Sequence, residues 1–292
     1  MITVDGSILR EVYKERPAWS HKGDFGRLLV IGGSKIYTGS PGLVAYGAMA
    51  ALRAGTDLVR IAAPARAADI AAKFSPNLIT EPFDGDYFTT KHLKRIMELV
   101  KEYDAVAIGP GLGLEKETQK FVTRFVDGIR KPCVVDADAL KALRNRKLLY
   151  NFLLTPHGYE FYHMTGDKPK YDITGRAELV KKHAKKTGAI ILLKGAIDII
   201  SDGKQTALNR TGNPYMTVGG TGDVLTGICG ALLAQKVHPF KAACAAAYMN
   251  GLAGDIAAKE KRPIVATDVI EKIPEVLKEV LPPPEQLKKA GK

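Results

Sequence analysis

The strongest constraint in the sequence is a glycine-rich turn that runs directly into an apolar helix, within residues 213–234. Gly219, Gly220 and Gly222 carry no side chain that would keep a ligand away from the backbone, and glycine tolerates the positive φ angles at which successive N–H groups converge. The apolar run from Val224 predicts a buried helix, whose unpaired first amides and dipole point at the same place. The pattern therefore predicts an anion site suited to a phosphate.

The same turn ends in a carboxylate, Asp223. A carboxylate beside a bound phosphate repels it, unless the carboxylate holds a metal ion or accepts a proton from the group under attack. Asp is also a frequent helix N-cap, and Gly-Asp alone favours that interpretation. The full Gly-Gly-Thr-Gly-Asp sequence before an apolar helix favours a catalytic base.

Composition and hydropathy are those of a globular protein. Of 292 residues, 46% are hydrophobic and 25% are charged, which excludes a disordered or fibrous chain. No apolar run is long enough to span a membrane, and the N-terminus lacks the features of a signal peptide, so we expect a cytoplasmic protein with no membrane partner. Cys133, Cys229 and Cys244 lie in apolar stretches without close spacing and are expected to be buried thiols.

The net charge of +12 raises the question of nucleic-acid binding. The basic residues are scattered over predicted helical faces and the C-terminal tail, without the interleaved aromatic residues of a single-strand binder. Solvated helix faces explain this pattern best, followed by attraction of small anionic molecules. We therefore predict no nucleic-acid partner.

Strand and helix patterns alternate along most of the chain. Near-continuous apolar strands, such as 105–108 and 133–135, are separated by helical segments and predict a mainly parallel α/β sheet covered on both faces. Residues 197–201 and 205–208, separated by Asp202-Gly203, predict a hairpin at the sheet edge. No linker or internal repeat is visible. We predict one domain over 1–292, with an N-terminal helix at 7–16, a core at about 22–280 and a polar tail at 282–292.

Glycine or polar residues occupy the loops that follow the predicted strands. A parallel sheet places its ligand crevice at the carboxyl ends of its strands, so these loops are expected to share one edge. None matches a dinucleotide fingerprint or a P-loop. Asp136 and Asp138 are expected to end a strand and cap the next helix rather than bind metal, and no metal ligand is assigned. The six loops are 32–40, 109–113, 136–138, 155–160, 194–196 and 219–223.

In this order, six motifs resemble the ADP-dependent NAD(P)H-hydrate dehydratases of the ribokinase-like superfamily. The likeness covers roughly residues 22–280 and is specific only as a set. It implies a ribokinase-like three-layer α/β/α fold with a central, mainly parallel sheet. The motifs are Tyr37-Thr-Gly-Ser, Gly109-Pro-Gly-Leu-Gly, Asp136-Ala-Asp, Thr155-Pro-His-Gly-Tyr-Glu, Lys194-Gly-Ala and Gly219-Gly-Thr-Gly-Asp.

The resemblance implies a hydro-lyase that repairs the S epimer of hydrated NADH or NADPH. ADP would phosphorylate the ring hydroxyl, and loss of phosphate with a ring proton would restore the nicotinamide, because phosphate leaves far more readily than hydroxide. Asp223 would deprotonate the hydroxyl, and the amides of Gly220, Thr221 and Gly222 would stabilise the transferring phosphoryl group. Mg²⁺ would bridge the phosphates of the donor, ADP.

The resemblance also assigns binding residues. Ser40 stands where many relatives have Ala, and Asp198 where Thr is frequent. From the residues alone, His157 could instead start a helix, and Lys194 could be a solvated strand tip. Contacts to ADP, or to its AMP portion, would come from Lys194, Gly195, Ala196, Ile197, Asp198 and Gly222; contacts to the hydrate would come from Ser40, Gly111 or Gly113, His157 and Asp223.

Many bacterial and archaeal family members carry an N-terminal epimerase domain, which this sequence starts too late to contain. A separate NAD(P)H-hydrate epimerase is therefore the expected pathway partner, and the family suggests a homo-oligomer, a tetramer. Two other functions remain open from the residues: a vitamin kinase of the same superfamily that acts on a hydroxymethylpyrimidine or hydroxyethylthiazole, and a nucleotide-binding regulator without turnover. The Gly109-Pro-Gly-Leu-Gly and Thr155-Pro-His motifs favour the dehydratase, and Asp223 disfavours the regulator.

Overall fold

A computed structural model describes residues 1–36 and 38–281. Tyr37 of the first motif and the predicted tail 282–292 lie outside the described residues, so the prediction of one domain over the whole chain stays a prediction. Within the described ranges, one ten-stranded sheet has the order β1-β10-β9-β8-β7-β6-β5-β2-β3-β4. Its strands are β1 (Ile2–Thr3), β2 (Arg27–Ile31), β3 (Leu58–Pro64), β4 (Ile79–Phe83), β5 (Ala105–Ile108), β6 (Cys133–Val135), β7 (Phe152–Leu154), β8 (Ile190–Leu193), β9 (Asp198–Ser201) and β10 (Thr206–Asn209).

Helices connect most of the strands, and short 3-10 turns occur at Thr90–His92, Lys141–Leu143 and Pro214–Met216. No helix in the described ranges combines the length and apolarity needed to cross a membrane. The helices are α1 (Ser7–Val12), α2 (Ser40–Arg53), α3 (Ala65–Ala72), α4 (Leu93–Val100), α5 (Lys116–Gly128), α6 (Ala137–Leu140), α7 (Gly158–Thr165), α8 (Ile173–Thr187), α9 (Thr221–Ala234), α10 (Pro239–Glu260) and α11 (Ala266–Lys278).

Strand direction places the six predicted loops together. Neighbouring strands run parallel except around β9, which is antiparallel to both β8 and β10. Two reversals give β10 the direction of β8, so the carboxyl ends of β2, β5, β6, β7, β8 and β10 lie on one edge. The loops predicted to share an edge follow these strands, and that prediction is confirmed.

The sheet is covered on both faces, because its side chains alternate between two apolar cores. In β2, Leu28 and Val30 belong to the core under α2, α3, α9, α10 and α11. Leu29 and Ile31 belong to the core under α4, α5, α7 and α8. The three-layer α/β/α prediction is confirmed, and the predicted burial of the three cysteines is confirmed as well.

The structure differs from the prediction at one edge of the sheet and at the end of the N-terminal helix. The hairpin of β9 and β10 is present, but β1 pairs with β10 and takes the edge position. A two-residue strand has no periodicity by which to recognise it. Helix α1 ends at Val12 instead of residue 16, because the backbone of Tyr13 is extended, with φ −87° and ψ 132°.

Helices α2 and α9 meet with their backbones in contact. A Cβ added at Gly227 would lie 1.9 Å from the carbonyl oxygen of Gly47, and one added at Gly47 would lie 2.9 Å from the carbonyl oxygen of Asp223. Only glycine fits such an approach. The contact fixes the start of α9 against α2 at the edge where the loops meet.

Candidate active site

The glycine-rich turn is a helix N-terminus with one residue in the left-handed region. Gly220 is the N-cap of α9 and has φ 99°, whereas Gly219 and Gly222 do not take a positive φ. The helix begins at Thr221, three residues before the predicted start at Val224. Because the first bond closes from Val224 N to Gly220 O, the preceding amides have no intrahelical acceptor. The free amides that the prediction requires are therefore present, and positive φ occurs only at Gly220 among the three glycines.

Asp223 lies in the first turn of this helix and is half-buried. Burial raises its pKa to about 7, the negative charge of Asp136 adds to the rise, and the positive charge of Lys194 opposes it. A carboxylate with this pKa is partly ionised near neutral pH, the condition for an efficient general base. Asp223 therefore differs from an N-cap aspartate, which would ionise far below neutral pH.

Lys194, at the end of β8, reaches into the site as part of a buried network. Its Nζ lies 3.0 Å from Asp136 Oδ1 and 3.7 Å from Glu160 Oε2, and its side chain is 19% exposed. Burial alone would lower the pKa of Lys194, but the charges of Asp136 and Glu160 outweigh it and raise the pKa. The alternative of a solvated strand tip was wrong.

Asp136 does not cap α6 with its side chain, contrary to prediction. Its Oδ1 accepts from Lys194 and its Oδ2 accepts from Thr226 Oγ1 at 2.7 Å. Asp138 is also no cap: it accepts from Gly113 N at 3.0 Å and pairs with Lys141. Both side chains instead join loops of the same sheet edge.

Three of the residues expected to face the hydrate, Ser40, Gly111 and Gly113, lie on two loops that touch. Ser40 opens α2 and is 7% exposed, and a Cβ on Gly111 would lie 2.5 Å from Ser40 Oγ. Gly111 and Gly113 have φ +64° and +81°, so their loop requires glycine at both positions. Ser34, missed by sequence reasoning, is buried beside Gly113, and its hydroxyl has no hydrogen-bond partner among the described residues.

His157 is the N-cap of α7, as one of its two predicted alternatives required. Its Nδ1 accepts from the amides of Tyr159 at 3.1 Å and Glu160 at 3.3 Å, and Glu160 Oε2 accepts from the amide of His157 at 2.8 Å. The side chain of His157 is 52% exposed. Its contact with a hydrate stays a prediction.

Asp198 fixes the loop expected to bind the nucleotide through a hydrogen bond to its backbone. Oδ1 of Asp198 accepts from Gly195 N, and Oδ2 accepts from Asn209 Nδ2, both at 3.0 Å. Burial raises the pKa of Asp198 to about 6, although both hydrogen bonds oppose the rise. Ile197 packs at the rim of the core, whereas Ala196 is exposed. Asp198 thus shapes the loop on which Gly195 and Ala196 are presented.

Sequence reasoning also missed Asp255 of α10, which holds the segment before the glycine-rich turn. It accepts from Gly212 N and from Asn213 Nδ2, both at 2.9 Å. Gly212 and Asn213 precede Asp255 by 43 and 42 residues, so no local sequence pattern links them to it. Asp255 fixes the direction in which the chain enters the turn.

The described residues contain no cluster of three or more His, Cys, Asp or Glu side chains able to hold a metal. Mg²⁺ that binds with a nucleotide needs only one or two carboxylates besides phosphate and water oxygens. Both oxygens of Asp136 are already engaged by Lys194 and Thr226. Glu160 is engaged as well, since its Oε2 accepts from the amide of His157 at 2.8 Å and lies 3.7 Å from Lys194 Nζ, so no carboxylate of the described site is assigned to the ion.

Comparison with known proteins agrees with this arrangement. A family model described as NAD(P)H-hydrate dehydratase matches residues 28–275. The chain belongs to this family. A bifunctional NAD(P)H-hydrate repair enzyme of Pyrobaculum aerophilum is 47% identical over 266 residues, which cover 90% of this chain and 52% of that protein. The chain spans about half the length of such bifunctional relatives.

Two further dehydratases match over nearly their whole length. The ADP-dependent (S)-NAD(P)H-hydrate dehydratase of Cenarchaeum symbiosum is 40% identical over 279 residues, covering 92% of this chain and 94% of that protein. The structure of an ADP/ATP-dependent NAD(P)H-hydrate dehydratase of Bacillus subtilis, co-crystallised with ATP and Mg²⁺, has a TM-score of 0.81 and 29% identity, covering 96% of this chain and 99% of that chain. The predicted family and fold are confirmed.

Proposed function

We propose that this chain is an ADP-dependent (S)-NAD(P)H-hydrate dehydratase, a hydro-lyase that restores NADH or NADPH from the S epimer of its hydrate. The observation that carries this proposal is Asp223, whose pKa is raised to about 7 in the first turn of α9, where backbone amides are open to an anion. The activities named for the Cenarchaeum and Bacillus relatives support it.

Asp223 would act as the base. It would take the proton of the ring hydroxyl as the hydroxyl oxygen attacks the β-phosphorus of ADP and AMP leaves. The amides of Gly220, Thr221 and Gly222 would hold the charge that develops on the transferring group. The phosphorylated ring would then lose inorganic phosphate and a ring proton, and the restored double bond gives the reduced nicotinamide.

Lys194 would face the donor phosphates from the side opposite the start of α9. A Cβ added at Gly222 would lie 3.4 Å from Lys194 Nζ, so the lack of a side chain at Gly222 leaves the gap between them open. The AMP portion would lie between the loop Lys194–Ala196, with Ile197 and Asp198 behind it, and the start of α9. Ser40, Gly111, Gly113 and His157 would contact the hydrate on the other side of Asp223.

Mg²⁺ would accompany ADP as part of the co-substrate. Phosphate oxygens of ADP and water would be the main ligands of the ion, which would neutralise charge on the donor phosphates. An NAD(P)H-hydrate epimerase, as in the bifunctional relatives, would supply the S epimer from the R epimer. We further propose a cytoplasmic homotetramer.

The direct test is to incubate the purified protein with NADH hydrate, Mg²⁺ and either ADP or ATP, and to follow recovery of the reduced-nicotinamide absorbance together with release of AMP and phosphate. Recovery that requires ADP and Mg²⁺ is expected. Phosphorylation of a hydroxyethylthiazole or hydroxymethylpyrimidine by ATP, without recovery of absorbance, would replace the dehydratase with a vitamin kinase. Nucleotide binding with no turnover of any of these substrates would indicate a regulator.

A further inference from the structure

An arginine side chain lies against the nucleotide loop from outside the network described above. Arg176 is in the first turn of α8, and a Cβ added at Gly195 would lie 2.6 Å from its Nη2 and 3.4 Å from its Cζ. Because α8 runs back to the start of β8, its first turn lies at the carboxyl edge of the sheet. The guanidinium therefore rests beside Gly195, where a side chain would displace it.

The guanidinium of Arg176 lacks a partner for its charge. Across residues 1–36 and 38–281, no carboxylate forms an ion pair with Arg176, and its Nε is buried with no hydrogen-bond partner. Asp198 attracts it electrostatically, but the oxygens of Asp198 accept from Gly195 N and Asn209 Nδ2. A buried N–H donor left without a partner is costly, and the guanidinium has four further N–H donors available to a ligand.

The charges around the loop indicate which kind of ligand group could accept hydrogen bonds from Arg176. Lys194 is already surrounded by Asp136 and Glu160, with Asp223 nearby. These carboxylates outnumber the one ammonium, so Lys194 alone does not make the site attractive to a nucleoside diphosphate carrying several negative charges. A second cation is needed on the same loop, and Arg176 is in that position.

We infer that Arg176 is a phosphate-binding residue of the nucleotide site, which donates to an oxygen of the donor's phosphate chain as the chain passes Gly195. This inference rests on the proposed function, since it assigns a role at the proposed ADP site. The planar guanidinium suits phosphate oxygens, to which it can donate two parallel hydrogen bonds. With Lys194 on the inner side of the loop and Arg176 on the outer side, the phosphates would be held between two cations.

The test compares ADP affinity by isothermal titration calorimetry in wild type, Arg176→Gln and Lys181→Gln. Lys181 is an exposed residue of the same helix, so its variant removes the same charge away from the loop. Adenosine serves as a probe without phosphates. Loss of a charge-assisted hydrogen bond should weaken ADP binding by about tenfold or more in Arg176→Gln, leaving adenosine affinity and the Lys181 variant near wild type. Arg176→Lys should recover part of the loss.

A second variant approaches the contact from the loop. In Gly195→Ala the new Cβ would push the guanidinium aside, so ADP binding should weaken, and adding Gly195→Ala to Arg176→Gln should cost little more. Fully additive losses would show that the two residues act independently and would overturn the inference. So would an Arg176→Gln protein that binds ADP within about twofold of wild type, or equal losses for ADP and adenosine, since the expected tenfold loss requires a phosphate contact.

The outcomes also separate this inference from the proposed function. A wild-type protein that fails to bind ADP would overturn both. A wild-type protein that binds ADP and restores NADH from its hydrate, with Arg176→Gln behaving identically, would overturn the role of Arg176 alone.

Discussion

The ammonium of Lys194 lies 3.0 Å from Oδ1 of Asp136, whose side chain is buried. The other oxygen of Asp136 accepts from Thr226 in α9. One carboxylate thus ties the loop after β8 and the loop after β6 to the helix that carries Asp223. It also adds a negative charge that raises the pKa of Asp223.

Asp136→Asn should shift the pH dependence of turnover. The base must be ionised to act, so wild-type kcat should rise with pH through about 7, the pKa of Asp223. Removing the negative charge of Asp136 lowers that pKa, because ionised Asp223 then has one fewer like charge nearby. The acid limb of the kcat profile should therefore move to lower pH by about one pH unit. A profile that keeps its midpoint would show that Asp136 does not tune the base.

Asp223→Asn should lower turnover by roughly two to four decades, because it removes the proton acceptor while keeping the size of the side chain. ADP should still bind, and its affinity should rise if anything, since a negative charge facing the phosphates is gone. Turnover and calorimetric ADP affinity measured on one preparation check both statements. Near-normal turnover would remove Asp223 from the proposed chemistry.

The same variant should be more stable than wild type at high pH. The folded-state pKa of Asp223, about 7, is above the ordinary aspartate value of 3.8, so the folded protein holds this proton more tightly than the unfolded chain. Its contribution to stability is complete below pH 4 and is lost as the pH rises through 7. Asp223→Asn should exceed wild type by on the order of 2 kcal/mol at pH 8 and match it at pH 4. Denaturant unfolding at both pH values measures the difference, and equal stability at pH 8 would contradict the raised pKa.

Two adjacent glycines should respond differently to alanine. Gly220 has φ +99°, and its added Cβ would lie 2.8 Å from that of Ala266; Gly219 has open space around it. Gly220→Ala should lower stability by about 1 to 3 kcal/mol and reduce turnover, because the turn presents the amides of α9. Gly219→Ala is the matched control and should stay within about 0.5 kcal/mol of wild type. Thermal unfolding of both variants checks this, and equal losses would mean that the turn tolerates no side chain at either position.

Asp255→Ala should loosen the entry to the glycine-rich turn. It removes the acceptor of two hydrogen bonds, from Gly212 N and Asn213 Nδ2, and should lower stability by about 1 to 3 kcal/mol and reduce kcat/KM. Asp255→Asn keeps an acceptor for one donor and should be intermediate. Unfolding and steady-state kinetics of both variants provide the test. Unchanged kcat/KM in the alanine variant would separate this segment from the function of the turn.

The sequence predicted those parts of the fold that depend on local patterns. The strands Ala105–Ile108 and Cys133–Val135 have the predicted bounds, because each is a short apolar run between loop signals. The pairing of β1 with β10 was missed, because its two residues carry no period.

The site divides in the same way. The anion turn could be predicted because its glycines and helix are contiguous in the chain. The role of Asp136 could not, since Thr226 and Lys194 are 90 and 58 residues away and the local sequence suggests a helix cap. The raised pKa of Asp223 depends on burial and on that same distant charge, so it required the folded arrangement.

The glycine contact between α2 and α9 sets the distance between Ser40 and Asp223, the two ends of the proposed hydrate site. Gly47 and Gly227 bring the backbones of the two helices into contact one turn from Asp223, and Ser40 is the first residue of α2. Neither helix can move closer, and moving apart would open a void in the core. The gap between Ser40 and Asp223 thus has a fixed size. A bulkier substrate would therefore fit only if the loops 32–40 and 109–113 changed.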